Sequence, residues 1–405
     1  MKNPPYERTL RCHFSFYSHE IETESGISCG TFARGVRARR SRAAFARNRS
    51  ERGRHPNALG CGWIRMPLLG FGQHERMSPR RVNLPPELAG APFSIAQARQ
   101  AGIGPERLRS EDLMRPHAGV RVTRSGAGAT SEVATSTLVD STGATSAVAT
   151  MNRCAEYLPV LRPHHFFSHL TAARLWGCPL RTERDEPLHV SATQNARAPR
   201  RRGVVGHHAD SASEIVMRCG FPTSDPVSTW LAIASVVSLD ELVVAADHLV
   251  LDPYQLDPRD IRPFTSIEAL GAAVQNFHGR GAGRAASACD LVRQGAESRP
   301  ETLLRLLLQR AGLPEPQPNR DVRDDAGRWL GRADLVYAAF RTVVEYDGDQ
   351  HRLNRTQYEK DIVRWELFIA ADWRVVKVRA GGLFSAPEAT VQRVRSALHA
   401  GGWTP

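Results

Sequence analysis

The chain has 405 residues, of which 41% are hydrophobic and 24% charged, and its formal net charge is +12. That balance supplies enough apolar surface for buried cores and excludes a wholly disordered chain or a small disulfide scaffold. The longest uncharged apolar stretch, Pro226 to Leu239, has 14 residues and four hydroxyls, too short and too polar to span a bilayer.

In chain order, residues 1–76 read as an Arg-rich leader. They hold 14 basic and 6 acidic groups and no sustained apolar periodicity, so they are expected to be disordered, or to precede a true start at Met77 or Met66. Ordered sequence is expected from 77. Ser94 and Gln97 form a capping box before a helix from Ile95 to Ala101, and Gly104-Pro105-Glu106 opens a second short helix through Ser110. A strand follows around Gly119 to Val122. Two short helices around a glycine turn, then a strand, suit a small winged helix-turn-helix over 77–124. Arg107 and Arg109 on its second helix are the expected phosphate contacts.

Residues 125–150 are mostly Ser, Gly, Ala and Thr and are expected to be a flexible insert. An α+β middle region is expected over 151–290. In it Phe166 to Gly177 reads as one helix with Ser168 as N-cap, Leu188 to Val190 as a strand, and Arg197 to Arg202 as a basic loop. Helices follow at Pro226–Val237 and Leu239–Leu249.

The last segment, 291–405, carries the chemistry. Ser298 and Glu301 make a capping box with Pro300 in the first turn, opening a leucine-rich helix to Arg310. Strands are expected around Asp321 to Arg323, Trp329 to Val336 and Thr342 to Tyr346. A helix from Thr356, a strand at Trp373 to Val378 and a last helix capped by Ser385 complete the order α-β-β-β-α-β-α. The strand Val343-Val344-Glu345-Tyr346-Asp347 places Val343, Glu345 and Asp347 on one face, and a hairpin brings Asp334 beside Glu345. Adjacent carboxylates repel unless a cation lies between them, and a hard divalent ion prefers such oxygen ligands.

Seven cysteines without a CxxC pair read as reduced thiols. The doublets His164-His165 and His207-His208 lack a partner at zinc spacing, and neighbours along a strand face opposite ways, so no structural zinc is expected. No segment has the order of a signal peptide. The expectation is a soluble, cytoplasmic protein without membrane contact. Of 54 basic residues only Lys2, Lys360 and Lys377 are lysine, a bias of the kind a GC-rich genome imposes.

With these residues in place, the C-terminal segment resembles the restriction-endonuclease fold, in the subgroup related to the very short patch repair endonuclease. The matching residues are Ser298-Arg299-Pro300-Glu301, Ala333-Asp334-Leu335, Glu345 through His351, Asp361 through Arg364, and Trp373 through Val376. Upstream, Phe93 through Ala98, Gly119-Val120-Arg121 and Ser168 through Ala173 resemble the winged-helix antitoxins of abortive-infection (type IV toxin–antitoxin) systems, which bind operator DNA. The fold class expected is therefore α/β, with a restriction-endonuclease-like core preceded by a winged-helix module and an α+β region.

The resemblance implies a metal-dependent endodeoxyribonuclease in which Asp334 and Glu345 hold Mg²⁺ or Mn²⁺. Many members carry a lysine two residues after the Glu, where this chain has Asp347. That leaves Asp347 as a base or further ligand and His351 as an acid or base. Glu301, Asp361 and Arg364 would orient ligands or meet a phosphate. DNA is the implied partner, with a cognate toxin a second one. The competing readings are a non-enzymatic, antitoxin-like DNA-binding regulator with a degenerate nuclease fold, and an RNA-processing enzyme.

Overall fold

The computed structural model describes residues 83–124, 143–181, 186–193, 196–209, 213–258, 260–348 and 355–405, with the backbone alone at 143–146 and 355–360. The expected leader and most of the expected insert lie outside these residues, as does His351.

The first described elements are α1 (Pro86–Ala89), β1 (Phe93–Ser94), α2 (Ile95–Gln100), β2 (Leu113–Met114) and β3 (Val120–Thr123). The capping box forms as expected: the Gln97 amide donates to Ser94 Oγ at 3.2 Å, and the Ser94 amide to Gln97 Oε1 at 2.7 Å. The strands make a small sheet in the order β1-β3-β2, over a core of Phe93, Ala98, Leu108 and Leu113. The second expected helix is only a single 3₁₀ turn, Arg107–Arg109. Gly102 in the left-handed region, then Gly104 and Pro105, use up the chain, and Ser110 is already extended.

Next come α3 (Gly143–Tyr157), β4 (His165–Phe167), α4 (His169–Leu175), β5 (Leu188–Ala192), β6 (Val204–His208), β7 (Ile215–Arg218) and β8 (Phe221–Ser224). Helix α3 begins inside the stretch expected to be a flexible insert. Alanine has the highest helix propensity, and Cys154 and Tyr157, both buried, anchor its last turns. The single helix expected over Phe166–Gly177 is instead a strand followed by a helix. Phe166 and Phe167 are fully buried strand residues, and Ser168, at the N-cap position, makes no capping bond. The five strands lie in the order β6-β5-β4-β8-β7. Strands β5 and β6 run parallel, with His189 opposite Val205 and Ser191 opposite His207.

A helical layer follows: α5 (Pro226–Ile233), α6 (Leu239–Leu249), α7 (Ile267–Gln275), α8 (Ala282–Leu291) and α9 (Arg299–Arg310). Trp176, Trp230, Leu242, Leu249, Leu270 and Leu306 share one core, so the leucine-rich helix serves the middle region as well as the segment after it. At this junction Asp247 of α6 and Arg305 of α9 are both fully buried and bonded at 2.8 Å. Thr302 Oγ1 and the Arg293 amide also donate to the Asp247 carboxylate, so both of its oxygens are satisfied.

The last elements are β9 (Gln317–Arg323), β10 (Trp329–Tyr337), β11 (Thr342–Tyr346), α10 (Arg355–Ala370), β12 (Arg374–Val378) and α11 (Pro387–Ala400). The order α-β-β-β-α-β-α is as expected. Strands β9, β10 and β11 form an antiparallel meander, and β12 joins β11 in parallel across the α10 crossover. One face, with Leu335, Tyr337, Val344 and Val376, packs on Leu304, Leu308 and Val394 of α9 and α11. The other face, with Val322, Ala333 and Val343, packs on Phe368 of α10. The last helix starts later than expected: Ser385 belongs to a π-turn, and Ala386 stands at the N-cap without a side-chain bond. No helix of the described residues is long and apolar enough to cross a membrane.

Candidate functional site

The carboxylates converge at the open end of the β10–β11 hairpin. The antiparallel register pairs Leu335 with Val344, and its continuation sets Asp334 opposite Glu345. Asp334 turns its side chain onto the neighbouring strand, where Oδ2 accepts the Tyr346 amide at 2.7 Å. Glu345 is 5% exposed. Its Oε2 accepts from Arg364 Nη2 at 3.1 Å, while its Oε1 is buried with no hydrogen-bond partner among the described residues.

Glu301 closes the site from the first turn of α9. It accepts from the Glu297 amide at 2.9 Å, from Ser298 Oγ at 2.7 Å and from Asn319 Nδ2 at 2.6 Å. Asn319, on β9 with a positive φ of 48°, was not anticipated from the sequence. Burial, reinforced by Asp334, pushes the Glu301 carboxyl up to about 8. Burial also raises Asp334, with Glu345 as the next cause. Burial raises Glu345 too, against Arg364 and with Asp361 and Glu301 adding to it. Burial first, and the neighbouring acids after it, thus hold all three carboxyls above the ordinary range, a condition that a cation between them relieves.

Helix α10 supplies the positive charge. Arg364 Nη2 reaches both Glu345 and Asp361 Oδ1, the latter at 3.3 Å, so an Asp361–Arg364 ion pair forms and takes in Glu345. Gly331 of β10 makes room for this arginine. A Cβ there would lie 2.7 Å from Arg364 Cγ and 3.2 Å from Phe368, and its φ of +153° is itself one that side chains avoid.

Lys377 was not anticipated from the sequence. It is the parallel-register partner of Glu345 on β12 and lies over the Trp365 indole. Burial lowers its ammonium, opposed by Asp347, Glu345 and Asp361. A signal was present in the sequence: Lys377 is one of only three lysines among the 54 basic residues.

Asp347 sits at the strand end. Its amide donates to the Val378 carbonyl and its carboxylate accepts from Arg379 Nε at 3.0 Å. The upstream arginines divide. Arg107 is held by Asp112 in a two-pronged pair at 2.9 and 2.7 Å, while Arg109 is exposed.

Compared with family models, curated proteins and solved structures, the chain matches none. What the site can do is set by its own geometry.

An upstream cleft adds to it. Tyr157, Arg162, His165, Arg197, Arg200 and Arg201 line a space of about 500 Å³, and Arg201 ties it to the first sheet by donating to the Ala118 carbonyl at 2.7 Å. Arg162, Arg197 and Arg200 are exposed, an arrangement suited to phosphate oxygens.

Proposed function

We propose that the chain is a metal-dependent nuclease that hydrolyses phosphodiester bonds in DNA. The observation that carries this reading is the buried, unpartnered Oε1 of Glu345, set beside Asp334 and within the field of Glu301. A buried carboxylate oxygen without a donor is costly, and oxygen-rich sites of this kind suit Mg²⁺ or Mn²⁺.

Asp334 and Glu345 would hold the ion, and Glu301 and Asn319 would keep the acid cluster in place. When bound, the ion polarises the phosphodiester and lowers the pKa of the attacking water. Arg364 donates to non-bridging phosphate oxygens, since a guanidinium offers donors and no lone pair to a cation. Lys377 takes the place of the lysine missing after Glu345: its ammonium, reaching the site from the neighbouring strand, stabilises charge that develops at the scissile phosphate. Asp347, paired with Arg379, stands at the rim of the site. The arginines of the upstream cleft grip the backbone of the nucleic acid without reading sequence.

The test is incubation of the full chain with plasmid DNA, single-stranded DNA and RNA, with and without Mg²⁺ or Mn²⁺. Cleavage of duplex DNA that needs the ion and is lost in Asp334→Asn supports the reading. Salt-sensitive DNA binding without cleavage of any substrate would replace it with the regulator reading.

A further inference from the structure

The middle sheet carries a second cluster unconnected with the carboxylates. His169, the first residue of α4, His189 of β5 and His207 of β6 present ring nitrogens that all lie within 4.8 Å of one another. The doublet argument that excludes chelation by His207 and His208 does not apply to residues on neighbouring strands. In the parallel β5–β6 register, His189 and His207 share a face two residues apart, and the β4–α4 junction brings His169 over them. His169 and His207 stack with ring centres 3.6 Å apart, and His189 Nδ1 stands 3.0 Å from His207 Nε2.

We infer that His169, His189 and His207 form a binding site for one borderline divalent transition-metal ion of the Zn²⁺ type. Three imidazoles suit Zn²⁺, Co²⁺ or Ni²⁺ and not the hard ions that carboxylates take. In a tetrahedral site with Zn–N bonds of 2.0–2.1 Å, ligand nitrogens stand about 3.3 Å apart, close to the separation already present between His189 and His207.

Three further observations support the site. The backbone of His169 is held at a φ of 50°, a conformation that non-glycine residues seldom adopt and that clusters at functional positions. The His169 ring is fixed from behind, its Nδ1 lying 3.0 Å from Ser168 Oγ, which in turn accepts from Ser191 Oγ at 2.7 Å. That leaves Nε2 for a ligand, as in histidine metal sites oriented by a second partner. His169 and His207 are only partly buried. A fourth ligand can come from solvent, the arrangement of a three-histidine site with an open position.

The experiment is calorimetry of the metal-free full chain with Zn²⁺, repeated on His169→Gln, His207→Gln and Asp334→Asn, with circular dichroism as the check on folding. His207, on the edge strand, is the substitution least able to disturb the core. The expected result is one Zn²⁺ per chain, unaffected by Asp334→Asn and weakened more than about 100-fold, beyond what loss of an outer partner costs, by either histidine change. Visible absorption of the Co²⁺ derivative gives a reading independent of any variant: an imidazole-only ligand set is expected. Absence of stoichiometric binding, binding undiminished in both histidine variants, or a thiolate charge-transfer band in the Co²⁺ derivative would each overturn the site. Because Asp334→Asn leaves it intact, its failure is distinguishable from failure of the nuclease reading.

Discussion

Glu345 on β11 and Lys377 on β12 are directly paired in the parallel ladder. This pairing brings a lysine to an acidic cluster whose own strand continues with a second acid, Asp347.

The first prediction concerns that lysine. Lys377→Met should lower cleavage on the order of 10²-fold, the usual loss when one preorganised donor is removed. Mn²⁺ affinity, measured by calorimetry, should change little. Lys377→Arg should recover part of the rate. Wild-type cleavage in Lys377→Met would remove the lysine from the site.

The acid pair gives the second. Asp334→Asn and Glu345→Gln keep shape and remove charge, so each should abolish metal-dependent cleavage and weaken Mn²⁺ binding. Melting temperature in the absence of metal should stay level or rise, because repulsion among buried carboxylates is relieved. A large fall in melting temperature would mean that these acids are structural.

The junction between α6 and α9 gives the third. Asp247→Ala leaves the buried Arg305 only Glu315, 3.6 Å away, and should cost about 3–5 kcal/mol in denaturant unfolding. The double change Asp247→Leu with Arg305→Met should cost much less, since no charge is then left in the core. Equal losses in the single and double variants would show that packing, not charge, decides this contact.

His248 gives a pH prediction apart from both sites. Its ring is buried, with Nε2 3.0 Å from the Trp176 carbonyl and Arg262 alongside. Burial, with Arg262 adding to it, holds its pKa down at about 3. The folded value lies below the unfolded one of about 6.5, so the folded state binds fewer protons. Its contribution to stability is full above pH 6.5 and is lost as pH falls toward 3. Thermal melts from pH 7 to 4.5 should show stability dropping, with a His248→Gln variant losing up to about 1.4 kcal/mol per pH unit of that slope. An unchanged slope would show that His248 takes up its proton in the folded chain as readily as in the unfolded one.

Local signals in the sequence located the elements well. The Ser94–Gln97 and Ser298–Glu301 capping patterns and the hairpin that opposes Asp334 to Glu345 all depend on residues within about a dozen positions. Features set by distant pairing were not legible. Lys377 reaches Glu345 only through a parallel crossover, and the three histidines meet because β5, β6 and the start of α4 lie side by side. Phe166 and Phe167 read as helix because their apolar character is the same in either state, and only the pairing of β4 with β5 distinguishes them. Ser385 failed as a cap because the π-turn at Gly381–Ser385 carries the chain past it.

The parallel pairing of β11 with β12 also divides the site by sequence separation. Asp334 and Glu345 meet within one hairpin, whereas Lys377 and Arg364 reach them only by way of the α10 crossover. Without that crossover the hairpin would set two acids side by side with neither cation, held by its apolar face, Leu335 against Val344 on the α9 side. The electrostatic balance of the site thus belongs to the crossover and not to the hairpin.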